Sequence, residues 1–282
     1  MSRTWLITGA SRGFGRSLAE AVLESGDQVL ATARRPEQLA DLVTRYGGLV
    51  RTAALDVTDA EAAKAAVATA VEEFGSLDVV VNNAGFANSG PIEEMAEADF
   101  RGQFEANFFG VVNVTRAALP VLRARRSGVF VQFSSVGGRV GGTPGMGAYQ
   151  SAKFAVEGFS EVLAAEVAPF GVKVVIVEPG AFRTDWQGSS MELHPVGADY
   201  ESTVGAMNAY RAENSDNQPG DPVRAARVII DVVGHDDPPR RLLLGAQAVT
   251  SALAAGEARA EETRKWADAS ASADFPTDDA SS

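Results

Sequence analysis

Seven short apolar runs, bounded by turn residues, set the folding problem for this chain: residues 4–8, 28–33, 49–55, 79–81, 129–133, 172–177 and 241–244. They are rich in Val, Leu and Ile and do not alternate with polar residues, which is the pattern of strands covered on both faces in a parallel sheet. Helical patterns lie between them at 14–25, 36–46, 59–74, 97–126 and 149–168, as parallel neighbours joined by crossovers require. The expected fold is α/β: a doubly wound parallel sheet of about seven strands, helices on both faces, with right-handed crossovers.

No repeat or low-complexity linker divides the 282 residues, so residues 1–267 read as one domain. Within it, 185–217 lacks a clear period and suits a substrate lid more than a sheet element. Its Trp186, Met191, Leu193, Met207 and Tyr210 either cover a pocket or pack the loop onto the core. From 268 to 282 the chain is Ala, Ser, Asp and Thr with one Pro, one aromatic and no basic residue. It reads as a disordered acidic tail.

The net charge of −12 disfavours nucleic acid and anionic membrane surfaces as partners. The chain has no cysteine and only His194 and His235, which removes thiolate chemistry and argues against a metal site. The opening run 5–8 is too short for a signal segment, and no stretch approaches the roughly 20 apolar residues of a membrane span. The expected location is cytoplasmic.

The first strand runs into Thr8-Gly9-Ala10-Ser11-Arg12-Gly13-Phe14-Gly15, and a helix then opens. A pyrophosphate needs bare backbone N–H donors at a helix N-terminus, and a side chain at Gly13 or Gly15 would obstruct its approach or the packing of helix on strand. Gly9, Ser11, Arg12, Gly13, Phe14 and Gly15 are therefore candidate dinucleotide contacts. About 20 residues past the glycines, a carboxylate would select NAD and an arginine NADP. Arg34 and Arg35 stand there, with Arg12 as a second cation, so NADP(H) is favoured over NAD(H). The two arginines also read as solvated cations opening the next helix.

Tyr149 and Lys153 fall at i and i+4 on one helix face. An ammonium at roughly 4 Å in an effective dielectric of about 20 stabilises a phenolate by about 4 kcal/mol, or about three pKa units. That would bring a tyrosine from about 10 to about 7, the range of a general acid/base. Upstream, residues 129–133 end in Ser134-Ser135, which places a hydroxyl at the carboxyl edge of the sheet, where open α/β folds bind ligands. Ser135 is the preferred candidate to hold a carbonyl oxygen, with Ser134 the alternative. Asn82-Asn83-Ala84-Gly85 also follows a strand, and either brings backbone close to the cofactor or is a plain turn.

Together the glycine turn, Asn82 to Gly85, Ser135 and Tyr149 with Lys153 resemble the short-chain dehydrogenase/reductase family, in its single-domain branch, over about residues 3–185. The resemblance implies a Rossmann-like fold, contacts of Asp56 and Val57 near the adenine, and backbone approach at Asn83, Ala84 and Gly85. It implies that Asn107 supports a water near Lys153, and that Pro179, Gly180, Phe182 and Thr184 line the nicotinamide. It also implies a homodimer or homotetramer formed through the helices carrying Phe104, Phe108, Phe154 and Phe159, unless all four belong to the core. Residues 149–163 are most similar to hydroxysteroid and retinol dehydrogenases, which points to a lipophilic alcohol or ketone.

The expected activity is metal-free hydride transfer between NADP(H) and a secondary alcohol, ketone or aldehyde, with Tyr149 exchanging the proton. A cofactor-sensing regulator without chemistry is the alternative on the same fold. The set Asn107, Ser135, Tyr149 and Lys153 separates the two, because a sensor has no physical need of it. An epimerase or dehydratase would want a larger C-terminal substrate domain than the chain provides.

Overall fold

The computed structural model describes residues 2–184, 191–214 and 217–275. Its strands are β1 (Thr4–Ile7), β2 (Gln28–Ala33), β3 (Val50–Ala54), β4 (Val79–Asn82), β5 (Ala87–Ser89), β6 (Gly128–Phe133), β7 (Val172–Pro179), β8 (Met191–Leu193) and β9 (Arg241–Leu244). Seven of them form one parallel sheet in the order β3-β2-β1-β4-β6-β7-β9. This is a Rossmann-like doubly wound sheet, and each of its strands lies within two residues of its expected bounds.

The helices are α1 (Gly13–Glu24), α2 (Ala40–Tyr46), α3 (Ala60–Phe74), α4 (Glu97–Phe104), α5 (Gly110–Arg125), α6 (Val136–Val140), α7 (Gly147–Val167), α8 (Ala206–Asn214), α9 (Pro222–Val233) and α10 (Ala246–Ala271). Strand side chains alternate between two buried layers. Trp5, Ile7, Val29, Val81, Val131 and Val177 meet Leu18 and Val22 of α1 and Ile229 of α9. Leu6, Leu30, Val80, Phe130 and Val174 meet α3, α5 and α7 through Val67, Val114 and Leu163. The strands lack polar alternation because both faces are dry.

Three expectations are corrected. The segment read as one helix over 97–126 is broken by a π-helical turn at Glu105–Phe109, where Asn107 turns its side-chain amide onto the carbonyls of Gln103 and Phe86. The lid segment contains regular structure: β8 pairs in parallel with β5, extended by the His194 amide donating to the Ser89 carbonyl, and α8 follows. The edge of β5 supplied partners that a reading of periodicity could not see; Trp186 lies outside the described residues. Finally, α10 runs to Ala271, into the segment expected to be tail, because Ala, Glu, Arg and Lys from 254 onward are strong helix formers.

Candidate active site

The strand order reverses direction at β1 and β4, and in open α/β sheets the crevice outside the carboxyl ends of such strands is where ligands bind. A cavity of about 850 Å³ opens there. Asn107, Ser135, Tyr149 and Lys153 line it, as do Gly9, Ser11, Arg12, Gly13, Phe14, Arg34, Asp56, Val57, Asn83, Ala84, Gly85, Pro179, Gly180, Phe182 and Thr184. Gly15 alone of the expected residues is not on the wall. It lies behind the turn, where a Cβ would come within 2.4 Å of both the Gly9 carbonyl oxygen and the Asn83 amide.

The turn from β1 to α1 is built for close approach. Gly9 and Gly13 adopt positive φ, 66° and 56°, which a side chain would strain. A Cβ on Gly9 would sit 2.9 Å from Ala84 Cα. Asn83 Nδ2 donates to the carbonyls of Thr8 and Gly9 at 2.9 and 3.1 Å, while the Thr8 hydroxyl oxygen accepts the amides of Asn83 and Ala84 at 3.0 Å each. These bonds tie the Asn82 to Gly85 segment to the glycine turn, and Gly13 and Phe14, the first residues of α1, line the cavity. The turn therefore fits a pyrophosphate. Arg34 and Arg35, past β2, are exposed at the same wall and form no ion pair among the described residues. Asp56 accepts from the amide and hydroxyl of Thr58 at 3.0 and 2.8 Å, which fixes the chain end of β3 at the rim.

At the other end of the cavity α7 presents Tyr149 and Lys153, 6% and 5% exposed. Tyr149 and Ser135 share a side-chain hydrogen bond. Ser135 caps α6, accepting the Gly137 amide at 3.0 Å, so its oxygen is held in place. Ser134, also on the cavity wall, is buried, its oxygen 2.6 Å from where a Cβ on Gly138 would lie. Of the two serines, Ser135 is the one beside the phenol. Lys153 Nζ donates to the Phe133 carbonyl at 2.8 Å and lies 5.8 Å from the centre of the Tyr149 ring.

The electrostatics differ from the expectation of a tyrosine drawn down to neutrality. Burial pushes the Tyr149 phenol above its ordinary value, opposed by the Ser135 hydrogen bond. Burial also lowers the Lys153 ammonium to about 8, opposed by the charge of Glu157. Burial is the larger influence on both groups.

Phe182 packs its ring on Phe14 at 4.9 Å, which in turn touches Phe133 at 5.6 Å, closing the floor between α1 and β6. Thr184 lies against Gly13. Wall residues that the sequence did not single out are Gln38, Leu55, Thr58, Phe86, Ala106 and Phe133. Phe86 follows Gly85 directly and its place was legible there; Gln38 carries no sequence signal. Among the described residues no group of three or more His, Asp or Glu is placed to hold a metal ion. Nor is any helix long and apolar enough to cross a membrane.

Fold and site together define an α/β oxidoreductase acting on CH–OH or C=O groups. The short chain dehydrogenase family model matches residues 3–193, and the chain belongs to that family. It is 49% identical over 267 residues to Oxidoreductase BOA17 of Botryotinia fuckeliana, spanning 94% of this chain and 97% of that protein. The crystal structure of a short-chain dehydrogenase from Streptomyces avermitilis superposes with a TM-score of 0.91 at 42% identity, covering 98% of this chain and 100% of the other. An alcohol dehydrogenase from the archaeon Thermococcus sibiricus, complexed with 5-hydroxy-NADP, gives 0.71 at 26% identity, with 86% and 96% covered.

Proposed function

We propose that the protein is an NADP(H)-dependent oxidoreductase that interconverts a lipophilic ketone or aldehyde and its alcohol, with Tyr149 as general acid/base. The observation that carries this reading is that Ser135 and the buried Tyr149 and Lys153 line one cavity with the glycine turn. Nicotinamide, when bound, supplies or accepts the hydride. In reduction the Ser135 hydroxyl, fixed by the Gly137 amide, holds the carbonyl oxygen. Tyr149 protonates that oxygen, and the buried Lys153 ammonium stabilises the phenolate left behind. Asn107, fixed in its π-helical turn, supports the proton path to Lys153.

The cation pair Arg34 and Arg35, with Arg12 across the turn, suits the added phosphate of NADP, and the archaeal relative carries an NADP derivative. The substrate side of the phenol is apolar: Ala87, Met146 and Met191 pack against Tyr149. Met191 gives the lid segment a covering role. Turnover of NADPH against a panel of ketones and aldehydes tests the reading. Tyr149→Phe is expected to keep NADPH affinity and lose turnover by at least about 10²-fold. Retained turnover in that variant rejects the assignment.

A further inference from the structure

Lys153 is not alone in its dry pocket. α7 places Glu157 one helical turn further on, on the same face, and it too is only 5% exposed. The reaction above uses the lysine and leaves this carboxylate without a task. Its Oε2 accepts from Arg241 of β9, from Nη2 at 3.0 Å and Nε at 3.1 Å. Its Oε1 is buried with no hydrogen-bond partner within normal distance among the described residues, and the Ser134 side chain lies against the carboxylate.

Arg241 also pairs with Glu161 of α7 and, at 3.1 Å, with the fully buried Glu178 of β7. Glu178 accepts from Arg139 of α6 at 3.3 Å, and Arg240 pairs with Glu161 at 3.4 Å. Three carboxylates and three guanidiniums thus balance one another behind the lysine. Glu161 is half-exposed and already ties β9 to α7 through Arg241. A second carboxylate on the same helix, taken out of water at a cost of several kcal/mol, calls for another reason. Burial pushes Glu157 up to about 7, while Arg241 and Arg139 act to keep it ionised. Its charge raises Lys153, against the burial that lowers it.

We propose that Glu157 is a positioning residue whose buried carboxylate, held by Arg241, keeps the Lys153 ammonium protonated beside Tyr149. The inference rests on the acid–base role of Tyr149. Reduction needs the Tyr149–Lys153 pair fully protonated, so kcat/KM for a ketone with NADPH falls on the alkaline side as the pair loses a proton. The groups facing Glu157 are Lys153 and Glu161 on its own helix, Glu178 on β7, Arg241 on β9 and Arg139 on α6. Removing the carboxylate leaves burial unopposed at Lys153.

The test is the pH profile of kcat/KM in Glu157→Gln, Glu157→Asp, Glu161→Gln and Tyr149→Phe, with thermal melts and NADPH affinity measured alongside. Glu157→Gln is expected to move the alkaline limb down by about one pH unit while leaving acidic rates near those of the parent. Glu157→Asp moves it down by less, and Glu161→Gln, which removes another Arg241 contact, leaves it in place. Should Glu157→Gln not fold, Glu157→Asp carries the test. A lowered melting temperature with an unmoved limb, or a limb moved upward, overturns the proposal. A turnover-competent Tyr149→Phe defeats the acid–base reading instead; an inactive one with an unmoved limb defeats only the role of Glu157.

Discussion

At the residue scale, Gly15 illustrates how tightly the site is drawn. It touches nothing in the cavity, yet a methyl group there would lie 2.4 Å from the Gly9 carbonyl oxygen and the Asn83 amide, the pair that ties two strand ends together. Gly15→Ala is expected to cost about 1 to 3 kcal/mol of stability and to weaken nucleotide binding, read by thermal melting and by NADPH fluorescence titration. Arg34 makes a different kind of statement. If its guanidinium binds the added phosphate of NADP, Arg34→Ala lowers affinity for NADPH by about 10- to 100-fold and leaves affinity for NADH nearly unchanged. Equal losses for both nucleotides would assign it to the shared part of the molecule. The glycine turn, the serine pair and the Tyr149 to Lys153 spacing were legible in the sequence because each is local. Glu157 was not, because its meaning depends on Arg241, which only the fold brings to it across three elements.

At the element scale, the seven strands of the sheet were legible because dry faces on both sides leave unbroken apolar runs. What escaped is instructive: α9 begins with Asp221-Pro222 and carries Ala225, Ala226, Ile229 and Val233 into the core. These are a start signal and a period that the sequence does contain. β5 and β8 escaped for a different reason, since three-residue strands have no period and exist only as each other's partner. The Asp221 carboxylate accepts the Val223 and Arg224 amides at 2.8 and 3.3 Å. Asp221→Ala is expected to cost about 1 kcal/mol, a drop of about 2 to 4 °C in Tm. Ile229→Ala, deep in the layer between α1 and the sheet, should cost about 2 to 5 kcal/mol in urea unfolding. A smaller loss at Ile229 than at Asp221 would mean that α9 is not part of the central core.

At the scale of the whole molecule, one sheet edge collects the chemistry while the outer helices carry an apolar surface that the fold itself does not use. Phe109 between α4 and α5, and Phe154 and Val162 on α7, are 45%, 41% and 58% exposed. The four aromatics expected to be either core or contact surface divide accordingly: Phe154 faces outward, while Phe104, Phe108 and Phe159 are partly covered. A homodimer or tetramer built on these faces predicts that Phe109→Asp combined with Phe154→Asp lowers the mass seen by light scattering and leaves the monomer folded. An unchanged mass would move the interface elsewhere.

The sheet and the family membership define an oxidoreductase acting on CH–OH or C=O groups; the reaction proposed for it delivers hydride from a bound nucleotide to a carbonyl whose oxygen is held at Ser135. The direct measurement is isotope transfer: NADPH deuterated at the transferable position of its nicotinamide, incubated with the protein and a ketone that it turns over, followed by mass spectrometry of the alcohol. Deuterium is expected on the carbinol carbon of the product, at least about 10²-fold less of it in the same time with Tyr149→Phe, and a hydroxyl proton drawn from solvent. An alcohol formed without the label, or tight nucleotide binding with no transfer to any carbonyl compound tried, would contradict it.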